Sequence, residues 1–149
     1  MFHIRVLTAP VALATDVPTA VGELVVDGAR SVFPLDLGHW RVEDYQRQWR
    51  DGLRRLLHGA PSSLLMSAYR GPHGDAHLMW ALWRETTSVY VQPHCVAASD
   101  LETAFDLDAA YEHIGVRVPA REQVLPIGEW RVGVEHLFAS ALQLRWPFA

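Results

Sequence analysis

Residues 40–57 carry the sequence WRVEDYQRQWRDGLRRLL, the stretch on which the prediction of the fold depends. Its large apolar side chains recur every three or four residues, as on one face of an α-helix: Tyr45, Trp49, Leu53, Leu56 and Leu57. Glu43 and Asp44 stand in the first turn, where the unpaired N–H groups of a helix favour carboxylates. Gly59 supplies a natural end. The stretch therefore predicts one amphipathic helix that begins between Arg41 and Glu43.

A β-hairpin is predicted immediately before this helix. Residues 23–26 and 30–33 flank Asp27-Gly28, a pair typical of the type I′ turn because both central positions need a positive φ. Pro34 then ends the second strand or confines it to a sheet edge, since proline lacks the N–H that a ladder needs.

Shorter patterns predict the remaining elements. Residues 2–7 suggest a first strand, followed by a loop over residues 8–20. Three apolar and aromatic runs separated by short turns predict an antiparallel meander: residues 62–69, 76–83 and 88–94. Later elements are expected as a helix over residues 99–113, a strand near 122–125 and a last helix around 134–142. The sequence thus predicts an α+β fold, one two-layer domain over residues 1–149 in which a largely antiparallel sheet packs with two to three helices.

The composition indicates which cellular compartment and which kinds of binding partner to expect. The net charge of −4 gives no reason to expect attraction to nucleic acid or to an anionic membrane. No segment reaches the roughly 20 apolar residues of a membrane-spanning helix. The single cysteine, Cys95, cannot form an internal disulfide, which suits the reducing cytosol. We therefore expect a cytoplasmic protein that binds neither nucleic acid nor membrane.

The predicted first helix is rich in arginine. Residues 41–58 contain five Arg against three acids, and Arg47, Arg50 and Arg54 fall on one face. Two ion pairs are expected at i,i+4 spacing: Glu43 with Arg47, and Asp51 with Arg55. A solvated surface is the simplest interpretation of the arginine face, and contact with phosphates or an acidic partner is the alternative.

The predicted second helix is acidic instead. Residues 99–113 contain no Arg and carry five carboxylates: Asp100, Glu102, Asp106, Asp108 and Glu112. Ser99 or Asp100 is the expected N-cap. An acidic element of this kind suits electrostatically steered docking to a basic protein such as a nuclease, with a merely solvated surface as the alternative. These five residues are the candidate partner-binding residues.

A group of imidazoles and a carboxylate offers a different chemistry, because Zn²⁺ accepts nitrogen and oxygen ligands. The candidate residues are His73, Asp75, His77 and His94. Their spacing matches no established zinc pattern, and the glycines and proline around His73 predict a turn rather than a helix. Cys95 follows His94 in a predicted strand, so the two side chains point to opposite faces, and we expect Cys95 to be a buried, unreactive thiol rather than a nucleophile. We expect neither a metal nor a cofactor, and a metal-dependent hydrolase remains an alternative.

Residues in a characteristic order link the chain to a known family. The first part consists of Gly22, Phe33, Leu37 and Trp40, then Tyr45-x-x-Gln48-Trp49, Leu53 and Leu56 on the helix. The second part consists of Leu64, Trp80, Tyr90-x-Gln92, Tyr111-x-x-Ile114, Arg117 and Glu129-Trp130. In this order and spacing, from roughly Gly22 to Glu135, the chain resembles the bacterial contact-dependent growth-inhibition immunity proteins.

The resemblance implies a function and a partner. Members of that family are small cytosolic proteins without catalytic activity, and each binds and blocks the toxic C-terminal domain delivered by a neighbouring cell. The matched residues are expected to be structural, so the resemblance assigns no toxin-binding residue. The sequence leaves the oligomeric state open. A homo-oligomeric scaffold or regulatory protein, associating through the apolar tail at Trp146, Pro147 and Phe148, is the second alternative.

Overall fold

Two antiparallel sheets and three α-helices make up the described part of the chain. The computed structural model describes residues 1–7, 11–12, 18–101, 104–123 and 128–143. The strands are β1 (Phe2–Val6), β2 (Val11–Ala12), β3 (Pro18–Val26), β4 (Ala29–Asp36), β5 (Ser62–Ala68), β6 (Ala76–Glu85), β7 (Ser88–Ala97) and β8 (Trp130–Gly133). The helices are α1 (Val42–Leu57), α2 (Leu107–His113) and α3 (Val134–Gln143).

The first sheet is built on β3, which pairs with β1, β2 and β4. The predicted hairpin joins β3 to β4, and its turn residues Asp27 and Gly28 have φ values of 47° and 89°. Pro34 lies within β4, which pairs with β3 alone among the described strands. Proline is thus confined to an edge strand, where its missing N–H breaks no ladder.

The second sheet has the order β5-β6-β7-β8 and contains the predicted meander. β6 and β7 pair in register from Ala76 with Ala97 to Glu85 with Ser88. Strands β6 and β7 extend past the predicted runs by two and three residues, and β5 ends one residue earlier than predicted. Every strand pair of the described chain is antiparallel, which confirms the predicted α+β class, although the sheet is divided in two.

Helix α1 joins the two sheets in one hydrophobic core. Tyr45, Trp49, Leu53 and Leu56 are completely buried, as its helical spacing predicts, whereas Leu57 is only partly covered. Phe33 of β4 makes edge-to-face contacts with Trp49 of α1 and with Trp80 of β6. These contacts link both sheets to the helix, so the packing of α1 holds the fold together.

Helix α1 also closes the open edge of β5. Gln48 accepts the N–H of Met66 at 2.7 Å and donates its amide to the carbonyl of Leu64 at 2.9 Å. The indole of Trp49 donates to the carbonyl of Met66 at 2.7 Å. Side chains of the helix therefore replace the neighbouring strand that an exposed edge would otherwise recruit.

Tyr45 ties the end of the first sheet to the second. Its hydroxyl donates to the carbonyl of Asp36 at 2.5 Å and accepts the N–H of Tyr69 at 2.9 Å. Burial raises the pKa of the Tyr45 phenol, so the hydroxyl stays protonated and able to donate. The three side chains of the Tyr45-x-x-Gln48-Trp49 motif thus hold α1 against both sheets through hydrogen bonds.

Three predictions of local structure are wrong. The predicted loop over residues 8–20 includes β2 and the first residues of β3, which gain strand structure only by pairing with another segment. The region 99–113 is not one helix, because a 3₁₀ turn at Ala98–Asp100 and helix α2 are separate. Glu122 ends a 3₁₀ turn at Ala120–Glu122 instead of beginning a strand, and residues 124–125 lie outside the described residues.

The ion pairs expected along α1 are also replaced by others. Asp44 contacts Arg41 and Arg47, and Asp51 contacts Arg50. The guanidinium of Arg55 lies instead over the ring of Tyr111, 3.8 Å from its centroid. An aromatic face on a neighbouring helix competes for the arginine, since cation–π contact and an exposed ion pair have similar small energies.

None of the helices described is long and apolar enough to cross a membrane.

Candidate protein-binding surface

Four of the five acidic candidate residues lie on the surface around α2. Asp100, Asp106, Asp108 and Glu112 are exposed, and Glu102 lies outside the described residues. The 3₁₀ turn at Ala98–Asp100 carries the first, and α2 with its N-cap carries the other three. The structure thus leaves four of the five predicted residues open to solvent.

Two of these carboxylates hold the local backbone. Asp106 is the N-cap of α2 and accepts the N–H of Asp108 at 2.8 Å. Asp100 accepts the N–H of Ala97 at 2.8 Å, just before the 3₁₀ turn. The predicted N-cap at Ser99 or Asp100 is therefore wrong for α2, whose start is set by Asp106. The side chains of Asp108 and Glu112 make no hydrogen bond or ion pair with the described residues, and both face solvent one helical turn apart.

Helix α2 is fixed to the core through Tyr111. The Tyr111 hydroxyl accepts the amide of Gln48 at 3.0 Å, and its ring lies beneath Arg55. Burial raises the pKa of Tyr111, while the hydrogen bond with Gln48 lowers it. Because Gln48 also holds the edge of β5, one buried side chain positions both the second sheet and the acidic helix.

A second network holds the segment that follows α2. Arg117 forms a two-pronged ion pair with Glu129, with Nε–Oε2 and Nη2–Oε1 distances of 2.9 and 3.0 Å. Its guanidinium also lies 3.6 Å from the centroid of the Tyr90 ring and 2.7 Å from a carboxylate oxygen of Glu85. Hydrogen bonds from Arg117 lower the pKa of Glu129. Glu129 thus has an arginine partner that its sequence position does not reveal.

The backbone of this segment is fastened to the second sheet. Trp83 donates its indole N–H to the carbonyl of Gly115 at 2.9 Å. The amides of Gln92 and Gln123 each donate to the carbonyl of Val118 at 2.9 Å. The segment from Gly115 to Val118 is therefore held at both ends and at Arg117 in the middle.

An apolar groove of about 720 Å³ opens beside this segment. Leu78, His94 and Cys95 of the second sheet line one part of it, and Val116 and Val118 line another. Sequence analysis missed the groove, because its walls come from β6, β7 and residues 114–123, which are distant in sequence. The alternation Val116-Arg117-Val118 was the available signal, since an inward arginine turns both valines outward.

The residues proposed for metal binding have different surroundings in the structure. His77 is buried, accepts the N–H of Arg70 through Nδ1 at 3.1 Å, and stacks on Phe105 with 3.9 Å between ring centroids. Burial lowers the pKa of His77. His94 lies beside His113, and His73 and Asp75 are exposed. Among residues 1–7, 11–12, 18–101, 104–123 and 128–143, no group of three or more His, Cys, Asp or Glu side chains is placed to hold a metal ion.

Two further predictions from the sequence concern Cys95 and the apolar tail. Cys95 is exposed and faces the groove, so the buried thiol expected from sequence is wrong. The apolar tail proposed for self-association, at Trp146, Pro147 and Phe148, lies outside the described residues.

The fold and the two networks define a small α+β protein whose characteristic side chains hold its helices and its 114–123 segment in place. The chain belongs to the CdiI N-terminal domain family, whose model matches residues 35–139. This match confirms the resemblance to contact-dependent growth-inhibition immunity proteins. No curated protein matches the sequence.

A solved structure shares the fold. The chain is similar to a chain of the "CdiA-CT/CdiI toxin and immunity complex from Enterobacter cloacae", with a TM-score of 0.85 and 21% sequence identity. The similarity covers 97% of this chain and 99% of that chain.

Proposed function

We propose that this chain is a non-catalytic immunity protein that binds and neutralises the C-terminal toxin domain of a contact-dependent growth-inhibition system. Membership of the CdiI N-terminal domain family carries this proposal. The likeness to a chain of a toxin and immunity complex supports it, because that structure contains both kinds of protein. Residues 1–149 act as one domain in the cytoplasm, where a delivered toxin would meet its target.

The family's characteristic side chains support a binding role over a catalytic one. Tyr45, Gln48 and Trp49 bond to backbone atoms of the fold, and Arg117 and Glu129 bond to each other. A protein that acts by occluding its partner needs a rigid frame and a variable surface, and no activated nucleophile or general base.

We propose that the toxin contacts the candidate residues Asp100, Glu102, Asp106, Asp108 and Glu112, of which the four described ones form an exposed acidic surface around α2. A basic toxin, such as a nuclease, would be attracted by a carboxylate cluster of one sign, and complementary charge raises the rate of association. The exposure of the four described residues supports this placement.

A growth assay tests the function. The C-terminal domain of the large protein encoded next to this gene is expressed from an inducible promoter, with and without this chain. We expect growth arrest that co-expression relieves. Arrest that persists despite well-folded immunity protein contradicts the proposal, and an unrelated folded protein at the same expression level is the control.

A further inference from the structure

Three large apolar side chains meet solvent at the groove between the second sheet and residues 114–123. Val116 is 90% exposed, Val118 is 50% exposed and Leu78 is 39% exposed. Single exposed apolar residues are ordinary, whereas several that line one concave surface mark a binding site. The groove volume of about 720 Å³ lies within the roughly 300–1,000 Å³ typical of ligand-binding clefts.

The exposure of the two valines follows from the way their segment is held. Arg117 turns toward the sheet to meet Glu129 and the face of Tyr90. Its neighbours Val116 and Val118 line the groove instead. Because hydrogen bonds to Gly115 and Val118 fix the backbone, the valines are presented on a preorganised support. A surface ordered before binding loses less entropy when a partner arrives.

The charge on the described lining of the groove is negative. Glu122 is the only charged residue among the described residues that line it, and Arg117, which lies next to two lining valines, is already paired with carboxylates. Asp100 follows shortly after His94 and Cys95 of the groove wall, and its carboxylate accepts the N–H of Ala97 there at 2.8 Å. The edge of the groove therefore favours a cationic partner.

His94 adds a polar group to this wall. Its Nε2 atom is buried and has no hydrogen-bond partner among the described residues. Burial lowers the pKa of His94, and the neighbouring His113 acts in the same direction. A neutral imidazole nitrogen of this kind can be satisfied by a hydrogen-bonding group brought in by a partner.

We propose that this groove receives an apolar side chain projecting from a positively charged face of the cognate toxin domain. The inference rests on the proposed immunity function and names the contact that anchors it. An apolar anchor buried in a pocket, surrounded by complementary charge, is the usual arrangement of an interface hot spot. Leu78, Val116 and Val118 would contact the anchor, with Glu122 and Asp100 facing the basic residues around it.

Cys95 allows the groove to be probed in the unaltered protein. It is the only cysteine in the chain, it is exposed, and it lines the groove. The rate of N-ethylmaleimide addition to Cys95 is measured by mass spectrometry, with and without a saturating amount of the toxin domain encoded by the neighbouring gene. We expect the complex to slow the reaction at least about tenfold.

A relocated cysteine provides the matched control for this experiment. Val32 is 51% exposed on β4, outside the groove. In a Cys95→Ser, Val32→Cys variant, the new thiol is expected to react at the same rate in the free protein and in the complex. Equal protection of both positions would indicate general shielding and would overturn the assignment of the groove.

Aspartate substitution tests the apolar contact directly. We expect Val116→Asp to weaken binding of the toxin domain at least about tenfold, because the new carboxylate loses its water against the apolar anchor, whereas the basic residues of the toxin lie at the edge of the groove beside Glu122 and Asp100. Val32→Asp introduces the same side chain on another surface and should bind as the unaltered protein does. Since Val116 is 90% exposed, the variant should keep the unaltered protein's circular dichroism spectrum.

The outcomes separate this inference from the proposed function. A toxin that is neutralised while Cys95 stays reactive and Val116→Asp binds normally overturns the groove but leaves the immunity function. A toxic domain that neither binds nor is neutralised overturns both. The proposal is supported if the complex protects Cys95, if Val116→Asp loses binding, and if the Val32 variants behave as the unaltered protein does.

Discussion

Gln48 pairs with Met66 as a neighbouring β-strand would, although Gln48 lies on a helix. Its side-chain carbonyl accepts the Met66 N–H at 2.7 Å, and its amide donates to the next carbonyl on the same edge, that of Leu64, at 2.9 Å. The side chain is 4% exposed. One glutamine thus fastens the central helix to the second sheet and satisfies backbone groups that would otherwise be buried without partners.

Replacing Gln48 by methionine tests this role. Gln48→Met keeps the length of the side chain but leaves the Met66 N–H and the Leu64 carbonyl unpaired, so we expect unfolding free energy to fall by about 2–4 kcal/mol. Denaturant unfolding provides the measurement. Gln46→Met, on a more exposed part of the same helix, should change stability by less than about 0.5 kcal/mol. Equal effects of both substitutions would contradict the role of Gln48.

Trp49 combines complete burial with a hydrogen bond from its indole to Met66. Trp49→Ala should lower the free energy of unfolding by about 3–5 kcal/mol, because it leaves a cavity between both sheets. Trp49→Phe keeps most of the apolar contact and loses the N–H donor, so its cost should be clearly smaller. A loss below about 1 kcal/mol for the alanine variant would show that the ring is not in the core.

Glu23 makes the first sheet sensitive to acid. Hydrogen bonds from Arg30, His3 and Arg5 lower the pKa of its carboxyl from 4.5 to about 2, although the side chain is only 3% exposed. A carboxyl whose pKa is lowered by folding contributes stability that is fully present above its unfolded pKa and is lost as pH falls through the folded one. Stability should therefore decline between pH 4.5 and about 2.

Chemical unfolding at several pH values measures this effect. In Glu23→Gln, we expect lower stability at pH 7 and a weaker dependence on pH below 4.5 than in the unaltered protein. Glu43→Gln removes an exposed carboxyl of α1 and should preserve the dependence. If Glu23→Gln loses as much stability at pH 3 as at pH 7, the acid sensitivity has another source.

The acidic surface can be tested by charge reversal at Asp108 and Glu112. A positive charge is unfavourable in the first turn of α2 and favourable in the last, so the double change to arginine should shift Tm by no more than about 2 °C. We expect toxin binding to weaken at least about tenfold. Asp106 is left unchanged, because losing this N-cap costs about 0.5–2 kcal/mol by itself.

A pair of reversals elsewhere controls for net charge. Glu43→Arg with Glu135→Arg changes the protein's charge by the same amount, outside the acidic surface. Toxin affinity of this control should stay close to that of the unaltered protein. Surface plasmon resonance at two salt concentrations distinguishes the variants. Normal binding by the Asp108 and Glu112 variant would remove the acidic surface from the interface.

Short-range sequence patterns correctly predicted helix α1 and the hairpin turn, because both depend on interactions between residues close together in the chain. The 3.6-residue period of Tyr45, Trp49, Leu53 and Leu56 placed one face of α1 in the core, and all four are buried. Asp27-Gly28 placed a hairpin turn, because few residue pairs tolerate two successive positive φ values. Both signals lie within a few residues of the structure that they specify.

Non-local pairing explains the elements that were predicted incorrectly. The acidic run from 99 to 113 carries helical composition throughout, but Phe105 packs against His77 and Asp106 caps a shorter helix. Arg55 lies over Tyr111, a partner far along the chain, instead of pairing with Asp51. Such choices depend on which side chains the folded core brings together, and spacing along one helix does not contain that information.

The sequence by itself determined the family, the α+β class, the central helix and the hairpin, because each depends on residue type and short-range spacing. Only the tertiary structure decided that Gln48 closes the edge of β5, that Arg117 is the partner of Glu129, and that Val116 faces a groove beside Cys95. The physical reason is the same for all three. Hydrogen bonds and surface shape between distant segments exist only after the chain has packed.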